Sequence, residues 1–355
     1  MQKLTKLREQ FDSLGVDGIL ITNAQNRRYL TGFTGSAGIV IIAKAEAYLF
    51  VDFRYVEQAA SQVKDVKVIQ LSGKVTLYEE VAHIVERLGV TNLGFEEENV
   101  SYHLYSKYKE RVIAEMIPLS GVIEKLRMIK TEEEIQKINT AAEMADSAFT
   151  HIVDYIRPGI TEIDVANELE FYMRKQGASS SAFDIIVASG QRSALPHGVA
   201  STKLIEKGDM VTLDFGAYYQ GYRSDITRTV AVGEPEEELK EIYTIVFEAL
   251  STALAEIKPD ITGKKADAFT RDFITKKGYG EQYGHGSGHG IGLDIHEEPF
   301  MSTKCDIILK PGMVITVEPG IYIPNLGGVR IEDDLLITDY GNKILTKSPK
   351  ELIIL

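Results

Sequence analysis

The sequence of 355 residues contains a single cysteine, Cys305, and has no uninterrupted apolar stretch of the roughly 18 residues that cross a bilayer. One cysteine excludes an intrachain disulfide and is typical of a reducing compartment. Residues 1–4 lead directly into an amphipathic pattern, without the apolar core and cleavage site of a signal peptide. The sequence therefore predicts a cytoplasmic protein without a membrane-spanning helix.

Basic residues are fewer than acidic ones: the sequence contains 39 Lys and Arg and 52 Asp and Glu, which gives a net charge of −13. Binding to nucleic acid depends on neutralising phosphates with Lys and Arg, so this balance argues against a nucleic-acid partner. It argues equally against an anionic membrane surface. We interpret the acid excess mainly as a source of solubility, while local clusters of acids remain candidates for a cation site.

The length exceeds what one ordinary core accommodates, which predicts two domains. In residues 1–124, helical and strand patterns alternate, which indicates an α/β domain with a small sheet. Lys3–Leu14 is amphipathic and ends at Gly15, and a second helix is predicted over Thr76–Leu88. The predicted strands are Gly18–Thr22, Ala37–Ile42 and Tyr48–Val51.

From residue 125 to residue 355 the pattern changes to an α+β domain with an internal repeat. Thr131 and Glu134 form a capping box at the start of a long helix whose apolar residues recur every three or four positions up to Ile156. A similar helix, a proline-containing stop and a second helix follow about a hundred residues later. The repeat predicts two related halves about a pseudo-two-fold axis.

The two halves place acidic residues at matching positions. Asp214 and Glu318 each end an apolar strand and are followed by a glycine two residues later. Asp225 follows Asp214 across a predicted turn at Tyr219–Tyr222, and Glu332 follows Glu318 across a turn at Pro324–Gly328. Residues opposite each other on a hairpin have Cβ atoms roughly 5 Å apart. Two carboxylates that close repel each other unless one is protonated or a cation lies between them. A strand face in water explains the aspartate pair equally well, and Glu332 also fits a surface charge.

Histidines cluster in a glycine-rich segment that contains His285, His289 and His296, three of only seven in the chain. His197 also precedes a glycine. A single histidine is more often structural than functional, but this clustering favours a site. Carboxylates with one or two imidazoles favour manganese or cobalt over a thiolate zinc site. Two such ions support hydrolysis without a serine or cysteine nucleophile.

Five segments together resemble the pita-bread metallopeptidases, in the branch that contains prolidase, aminopeptidase P and creatinase. They are Leu213–Gly216, Ser224–Thr229, Gly288–Gly292, Val317–Gly320 and Arg330–Asp333. The resemblance implies a pita-bread fold and five metal ligands, which fall on Asp214, Asp225, His289, Glu318 and Glu332. Asp225 and Glu332 would bridge two divalent ions, expected to be Mn²⁺, with Co²⁺ or Zn²⁺ as alternatives. The segment Asn26–Gly35 is similar to the creatinase/prolidase N-terminal domain, which implies a homodimer.

By the same resemblance, the chain is expected to be an Xaa-Pro dipeptidase that cleaves a small peptide with proline in second position, using a metal-bridging hydroxide. The alternatives are aminopeptidase P, which acts on longer peptides, and a non-catalytic pita-bread binding protein. Glu318 would move the proton and His296 would bind the oxyanion. His197 and His285 would line the proline pocket, and Arg330 would hold the substrate carboxylate or orient a ligand. Phe300 stands where some prolidases place a carboxylate-binding arginine, which keeps aminopeptidase P in consideration.

Overall fold

A computed structural model describes residues 2–355. The chain divides into two compact units, Met1–Arg127 and Met128–Leu355. None of the helices formed by residues 2–355 combines the length and the apolar content needed to span a bilayer.

The first unit is built on a six-stranded sheet. Its helices are α1 (Gln2–Arg8), α2 (Phe11–Leu14), α3 (Ala24–Thr31), α4 (Val56–Gln62), α5 (Leu77–Arg87), α6 (Tyr102–Lys109) and α7 (Val122–Arg127), with a 3₁₀ turn at Phe53–Tyr55. Its strands are β1 (Gly18–Ile21), β2 (Ile39–Ala43), β3 (Ala47–Val51), β4 (Lys67–Gln70), β5 (Asn92–Glu96) and β6 (Glu115–Leu119). The strand order is β4-β3-β2-β1-β5-β6, with antiparallel pairs on both sides of β2 and parallel pairs elsewhere.

The apolar runs in the sequence of this unit form the central strands of its sheet. Every residue of β1, β2 and β3 is buried, as expected for central strands covered on both faces. The three predicted strands are therefore confirmed, with shifts of one or two residues at their ends. The predicted helix over Lys3–Leu14 is wrong in one respect, because the chain turns at residues 9 and 10 and forms two short helices. Leu4, Leu7 and Phe11 still face the core.

The second unit contains two helix pairs and several small sheets or hairpins. Its helices are α8 (Glu132–Tyr155), α9 (Glu162–Lys175), α10 (Glu237–Glu256) and α11 (Gly263–Lys276), with 3₁₀ turns at Gly190–Ala194 and Gly280–Gln282. The strands of its first half are β7 (Ser180–Ser181), β8 (Ile186–Ser189), β9 (Met210–Phe215), β10 (Ala217–Tyr219), β11 (Tyr222–Arg223) and β12 (Ile226–Ala231). Those of its second half are β13 (Gly288–Gly290), β14 (Glu297–Met301), β15 (Val314–Val317), β16 (Gly320–Ile323), β17 (Gly327–Arg330), β18 (Asp333–Ile337) and β19 (Asn342–Ile344).

The predicted repeat is visible in how each half builds its core. In the first half, α8 and α9 cover a sheet of order β12-β9-β8, and one cluster of buried side chains joins them. In the second half, α10 and α11 cover a sheet of order β14-β13-β15-β18-β19, and a second cluster joins those. Two threonines, Thr131 and Thr161, accept hydrogen bonds at the starts of α8 and α9, and the capping box predicted at Thr131 is confirmed. The helices thus back two antiparallel strand pairs whose ends carry the acidic residues.

The last residues of the sequence complete the first half. The amide of Ala231 in β12 donates to the carbonyl of Ile353 at 2.9 Å, and the amide of Leu355 donates back to Ala231 at 2.8 Å. The Arg228 side chain, which is 1 % exposed, donates from Nε to the carbonyl of Pro349 at 2.9 Å. A segment that follows both halves in the sequence is therefore hydrogen-bonded to β12, the strand that follows Asp225.

Candidate metal centre

The first acidic pair lies across the hairpin of β9 and β12. Asp214 is paired with Thr227 in the antiparallel register, and Asp225 lies two residues before Thr227, so the two aspartates are diagonal neighbours on one face. The predicted turn is confirmed, since Tyr219 pairs with Tyr222 and the residues between them, Gln220 and Gly221, have φ of 47° and 90°. The positive φ values suit a tight hairpin turn of the type that strand twist favours.

The second acidic pair lies across β15 and β18. The last register pair of this ladder is Val317 with Asp333, and Glu318 follows the first while Glu332 precedes the second. The two glutamates therefore leave the ladder side by side. Glu332 is only 2 % exposed, which excludes its interpretation as a surface charge. Its carboxylate accepts a hydrogen bond from Thr227 Oγ1 at 2.6 Å, a contact from the first half to the second.

His289 approaches the acids from the short strand β13. Its Nδ1 lies 3.0 Å from the carbonyl of Gly290, so Nδ1 carries the proton and Nε2 keeps a free lone pair. His289 Nε2 lies 3.5 Å from Glu318 Oε1 and 3.7 Å from Asp225 Oδ2. A side chain on Gly288 would collide with the backbone of Thr316, which explains why glycine allows β13 to lie so close to β15.

The five side chains therefore converge on one place, and we name Asp214, Asp225, His289, Glu318 and Glu332 the ligand cluster. One donor atom from each of Asp225, His289 and Glu332 lies within 4.8 Å of the other two. All five line a single cavity of about 370 Å³. The sequence separation of these residues means that only the meeting of the two halves creates the cluster.

The electrostatics of the cluster are those of a site built for a cation. Burial, followed by the neighbouring charges of Glu332 and Asp214, raises the pKa of Asp225 well above its ordinary value. Burial and the charge of Glu318 likewise raise the pKa of Glu332, and burial raises the pKa of Glu318. Burial lowers the pKa of His289, which keeps its imidazole neutral. Carboxylates that resist ionisation beside a neutral imidazole are stabilised by positive charge placed among them.

Unpartnered oxygen atoms point to the same conclusion. Asp214 Oδ1 and Asp225 Oδ1 are buried, and neither has a hydrogen-bond partner among residues 2–355. A buried polar atom without a partner is costly, and a metal ion removes that cost by direct coordination. The donor set of carboxylates and one imidazole nitrogen fits hard or borderline divalent ions. The residues present thus fit a metal centre.

Arg330, for which the sequence predicts either a substrate-carboxylate contact or a contact with a ligand residue, connects the cluster to a chain of hydrogen bonds. Its Nη2 donates to Asp214 Oδ2 at 2.6 Å, its Nη1 to the Tyr322 hydroxyl at 2.8 Å and its Nε to Thr227 Oγ1 at 3.1 Å. Tyr322 lies 3.0 Å from His285 Nε2. Because Thr227 stands opposite Asp214 in the hairpin, the sequence register provides a signal for it, whereas no local signal marks Tyr322.

The remaining predicted site residues also line the cavity. The rings of His296 and His289 are in edge contact, with centroids 4.4 Å apart, and burial together with the neighbouring His289 lowers the pKa of His296. His197 and His285 contribute to the wall, as do the apolar side chains of Phe183, Ile186, Pro196, Ile295 and Phe300. The structure therefore brings all nine predicted residues to one cavity.

Carboxylates from two matching hairpins and a histidine around one cavity define a metal-dependent hydrolase. The chain matches the model of metallopeptidase family M24 over residues 136–339 and that of the creatinase/prolidase N-terminal domain over residues 3–129. The chain belongs to metallopeptidase family M24 and is a metal-dependent peptidase. The predicted resemblance and the predicted fold class are confirmed.

Relatives match over nearly the whole chain. An uncharacterized peptidase of Bacillus subtilis is 58% identical over 99% of this chain and 100% of its own. An Xaa-Pro dipeptidase of Pyrococcus horikoshii is 43% identical over 99% of both chains. The solved structure of an Xaa-Pro dipeptidase from Bacillus anthracis is 59% identical, covers 100% of this chain and 99% of its own, and superimposes with a TM-score of 0.98.

Proposed function

We propose that the protein is an Xaa-Pro dipeptidase whose catalytic domain is formed by residues 125–355. The observation that carries this proposal is the convergence of the ligand cluster on a cavity of about 370 Å³. That volume suits a ligand of dipeptide size, since small-molecule sites span about 300–1,000 Å³. Relatives with this activity match from one end of the chain to the other, which supports the same substrate class.

The ligand cluster would hold two divalent ions, and we propose Mn²⁺ as the metal. Four carboxylates balance the charge of two such ions, and the oxygen-rich donor set favours manganese or cobalt. We propose Asp225 and Glu332 as the residues shared by both ions, since their carboxylates lie in the most buried part of the cluster. When bound, the ions lower the pKa of a coordinated water and polarise the peptide carbonyl.

The side chains around the cluster would perform the proton transfers. Glu318, whose pKa is raised by burial, is suited to accept a proton from the attacking water and to deliver it to the leaving proline nitrogen. His296, kept neutral by its lowered pKa, would donate a hydrogen bond to the developing oxyanion. His197 and His285 would line the pocket for the proline ring.

Arg330 would orient Asp214 and leave the substrate carboxylate free. Each of its three nitrogens already donates one hydrogen bond, to Asp214, Tyr322 and Thr227. Phe300, 44 % exposed on the cavity wall, provides no charge for that carboxylate either. These two observations favour the second candidate function, aminopeptidase P, which acts on longer peptides.

A comparison of Leu-Pro with Leu-Pro-Ala in the presence of Mn²⁺ tests the proposal, because the apolar wall suits a leucine in first position. We expect release of proline from the dipeptide and little cleavage of the tripeptide. Preferential cleavage of the tripeptide would establish aminopeptidase P instead. Leu-Ala serves as the control, since turnover of that peptide at a similar rate would show that proline is not recognised.

A further inference from the structure

Glu162, the first residue of α9, is a fully buried carboxylate far from the ligand cluster in sequence. It is 0 % exposed, and Thr161 before it caps the helix by a hydrogen bond with Asp164. A buried carboxylate is stable only when its oxygens are bonded or paired with charge. The partners of the Glu162 carboxylate all come from one segment, residues 189–201, which we name the His197 loop.

Both oxygens of Glu162 are used to fix the two ends of the His197 loop. Oε1 accepts from the amide and the hydroxyl of Ser189, at 2.8 and 2.9 Å. Oε2 accepts from the amide and the hydroxyl of Ser201, at 3.0 and 2.6 Å, and also from Arg192. Arg192 in turn donates to the carbonyl of Val199 at 2.9 Å, which ties the middle of the loop to its end.

The His197 loop carries two residues of the cavity wall, Pro196 and His197. Among residues 2–355, the His197 imidazole forms no hydrogen bond, so its position depends on the backbone that carries it. A second anchor is Ser193, whose hydroxyl accepts from the amide of Gly328 at 2.8 Å, within β17, the strand that ends at Arg330. The loop is thus fixed at both ends by Glu162 and at its centre by the second half.

We propose that Glu162 is a positioning residue that holds His197 at the substrate pocket through the His197 loop. The proposal rests on the proposed function for its activity readout, because it assigns His197 a part in substrate turnover. It does not depend on the metal, since Glu162 bonds to no member of the ligand cluster. Loss of Glu162 should therefore impair turnover only as far as His197 contributes to it.

A double-mutant cycle tests this dependence. We expect Glu162→Gln to lower kcat/KM for Leu-Pro by about tenfold, the lower end of what supporting residues of metal sites contribute. In a His197→Ala background the same change should lower kcat/KM by less than about twofold, because coupled residues are not additive. Mn²⁺ content should stay at the wild-type value. Equal losses in both backgrounds, or loss of metal, would overturn the proposal.

Two further variants test whether the loss of turnover comes from the His197 loop or from lower stability of α9. Ser201→Ala removes one donor to Glu162 and should give a smaller loss with the same dependence on His197. Glu168→Gln lies on the same helix and removes the charge of a carboxylate that is 28 % exposed and pairs with His151 at 2.6 Å, and it should leave kcat/KM unchanged. An effect of Glu168→Gln as large as that of Glu162→Gln would assign both to the stability of α9.

Hydrogen exchange separates failure of this proposal from failure of the proposed function. Glu162→Gln should accelerate amide exchange in residues 189–201 and leave β9 and β12 protected. If the wild-type protein does not cleave Leu-Pro but exchange responds in this way, the function is wrong and the loop anchor stands. If the wild-type protein cleaves Leu-Pro and exchange in the loop does not change, the anchor is wrong.

Discussion

The two halves of the second unit share a scaffold and differ in what they bring to the ligand cluster. The first half contributes two aspartates in a diagonal arrangement, and the second contributes two glutamates that leave their ladder side by side. The only imidazole of the cluster, His289, also comes from the second half. The difference indicates that the helix pairs and strand pairs preserve the repeat, while the site itself is asymmetric.

The halves are nevertheless tied by reciprocal contacts. Thr227 of the first half donates to Glu332 of the second, and Arg330 of the second half donates to Asp214 of the first. Each half therefore orients a carboxylate of the other. The cluster is a property of the interface between halves, and neither half is expected to hold a metal ion alone.

The largest expected effect comes from removing, in turn, the two residues proposed to be shared by both ions, one from each half. We expect Asp225→Asn and Glu332→Gln each to abolish hydrolysis of Leu-Pro while the circular dichroism spectrum stays that of the wild type. Bound Mn²⁺, measured by elemental analysis after dialysis, should fall in both variants. Asp339→Asn, at an exposed turn residue, is the control. Near-normal turnover in either variant would show that one half is dispensable.

Substitution of the arginine that joins the halves should have the next largest effect. Arg330→Lys keeps the charge but loses the fork that reaches Asp214 and Tyr322 together. We expect kcat/KM to fall by about 10- to 100-fold, as for other groups that orient metal ligands. The factor should be the same for Leu-Pro and Leu-Pro-amide. A much larger loss for the free carboxylate would mean that Arg330 binds the substrate.

The raised pKa values predict how stability without metal depends on pH. Asp225 keeps a proton in the folded state above its unfolded pKa near 3.8, so the folded state binds more protons and loses stability as pH rises towards its raised pKa. A tenfold difference in proton affinity between the folded and unfolded states is worth about 1.4 kcal/mol. With EDTA, Asp225→Asn should therefore become more stable than the wild type as pH rises, by thermal melting. With Mn²⁺ the order should reverse.

The histidines of the cavity are distinguished from Asp225 by the direction of their pH dependence. His285 and His289 have lowered pKa values and destabilise the folded state in acid, which is the opposite trend. If the melting temperatures of Asp225→Asn and the wild type in EDTA depend on pH in the same way, the pKa of Asp225 is not raised in the folded state.

The smallest expected effect distinguishes the hydroxyls that support each glutamate. Thr227 donates to Glu332 at 2.6 Å, whereas Thr316 donates to Glu318 at 3.3 Å. A typical single hydrogen bond contributes about 0.5–1.5 kcal/mol, and the contribution falls as the donor–acceptor distance grows. We expect Thr227→Val to reduce kcat/KM more than Thr316→Val. The opposite ranking would place the more important support within the second half.

Local patterns in the sequence predicted much of this architecture. The capping box of Thr131 and Glu134 depends on residues three apart, and the diagonal placement of Asp214 and Asp225 follows from hairpin register. The resemblance of five segments then supplied five candidate metal ligands, and the structure brings all five to one cavity. These features are readable because each depends on neighbours in the chain.

Contacts between distant segments were not predictable in the same way. The sequence left the partner of Arg330 open, because a tertiary meeting of two hairpins decides that it contacts Asp214. Tyr322 and Glu162 had no assigned role, since their partners lie 8 or more residues away in other elements. The burial of Glu332 was equally hidden, because two acidic residues follow it and resemble a solvated run.

The pairing of residues 353–355 with β12 has a consequence for biosynthesis. All five residues of the ligand cluster have been translated once the ribosome passes Glu332, yet the segment that bonds to Ala231 and Arg228 is still to be made. The nascent polypeptide thus passes through a stage that carries the whole ligand cluster without the segment that is hydrogen-bonded to β12. We expect capture of divalent metal ions to follow translation of residues 349–355.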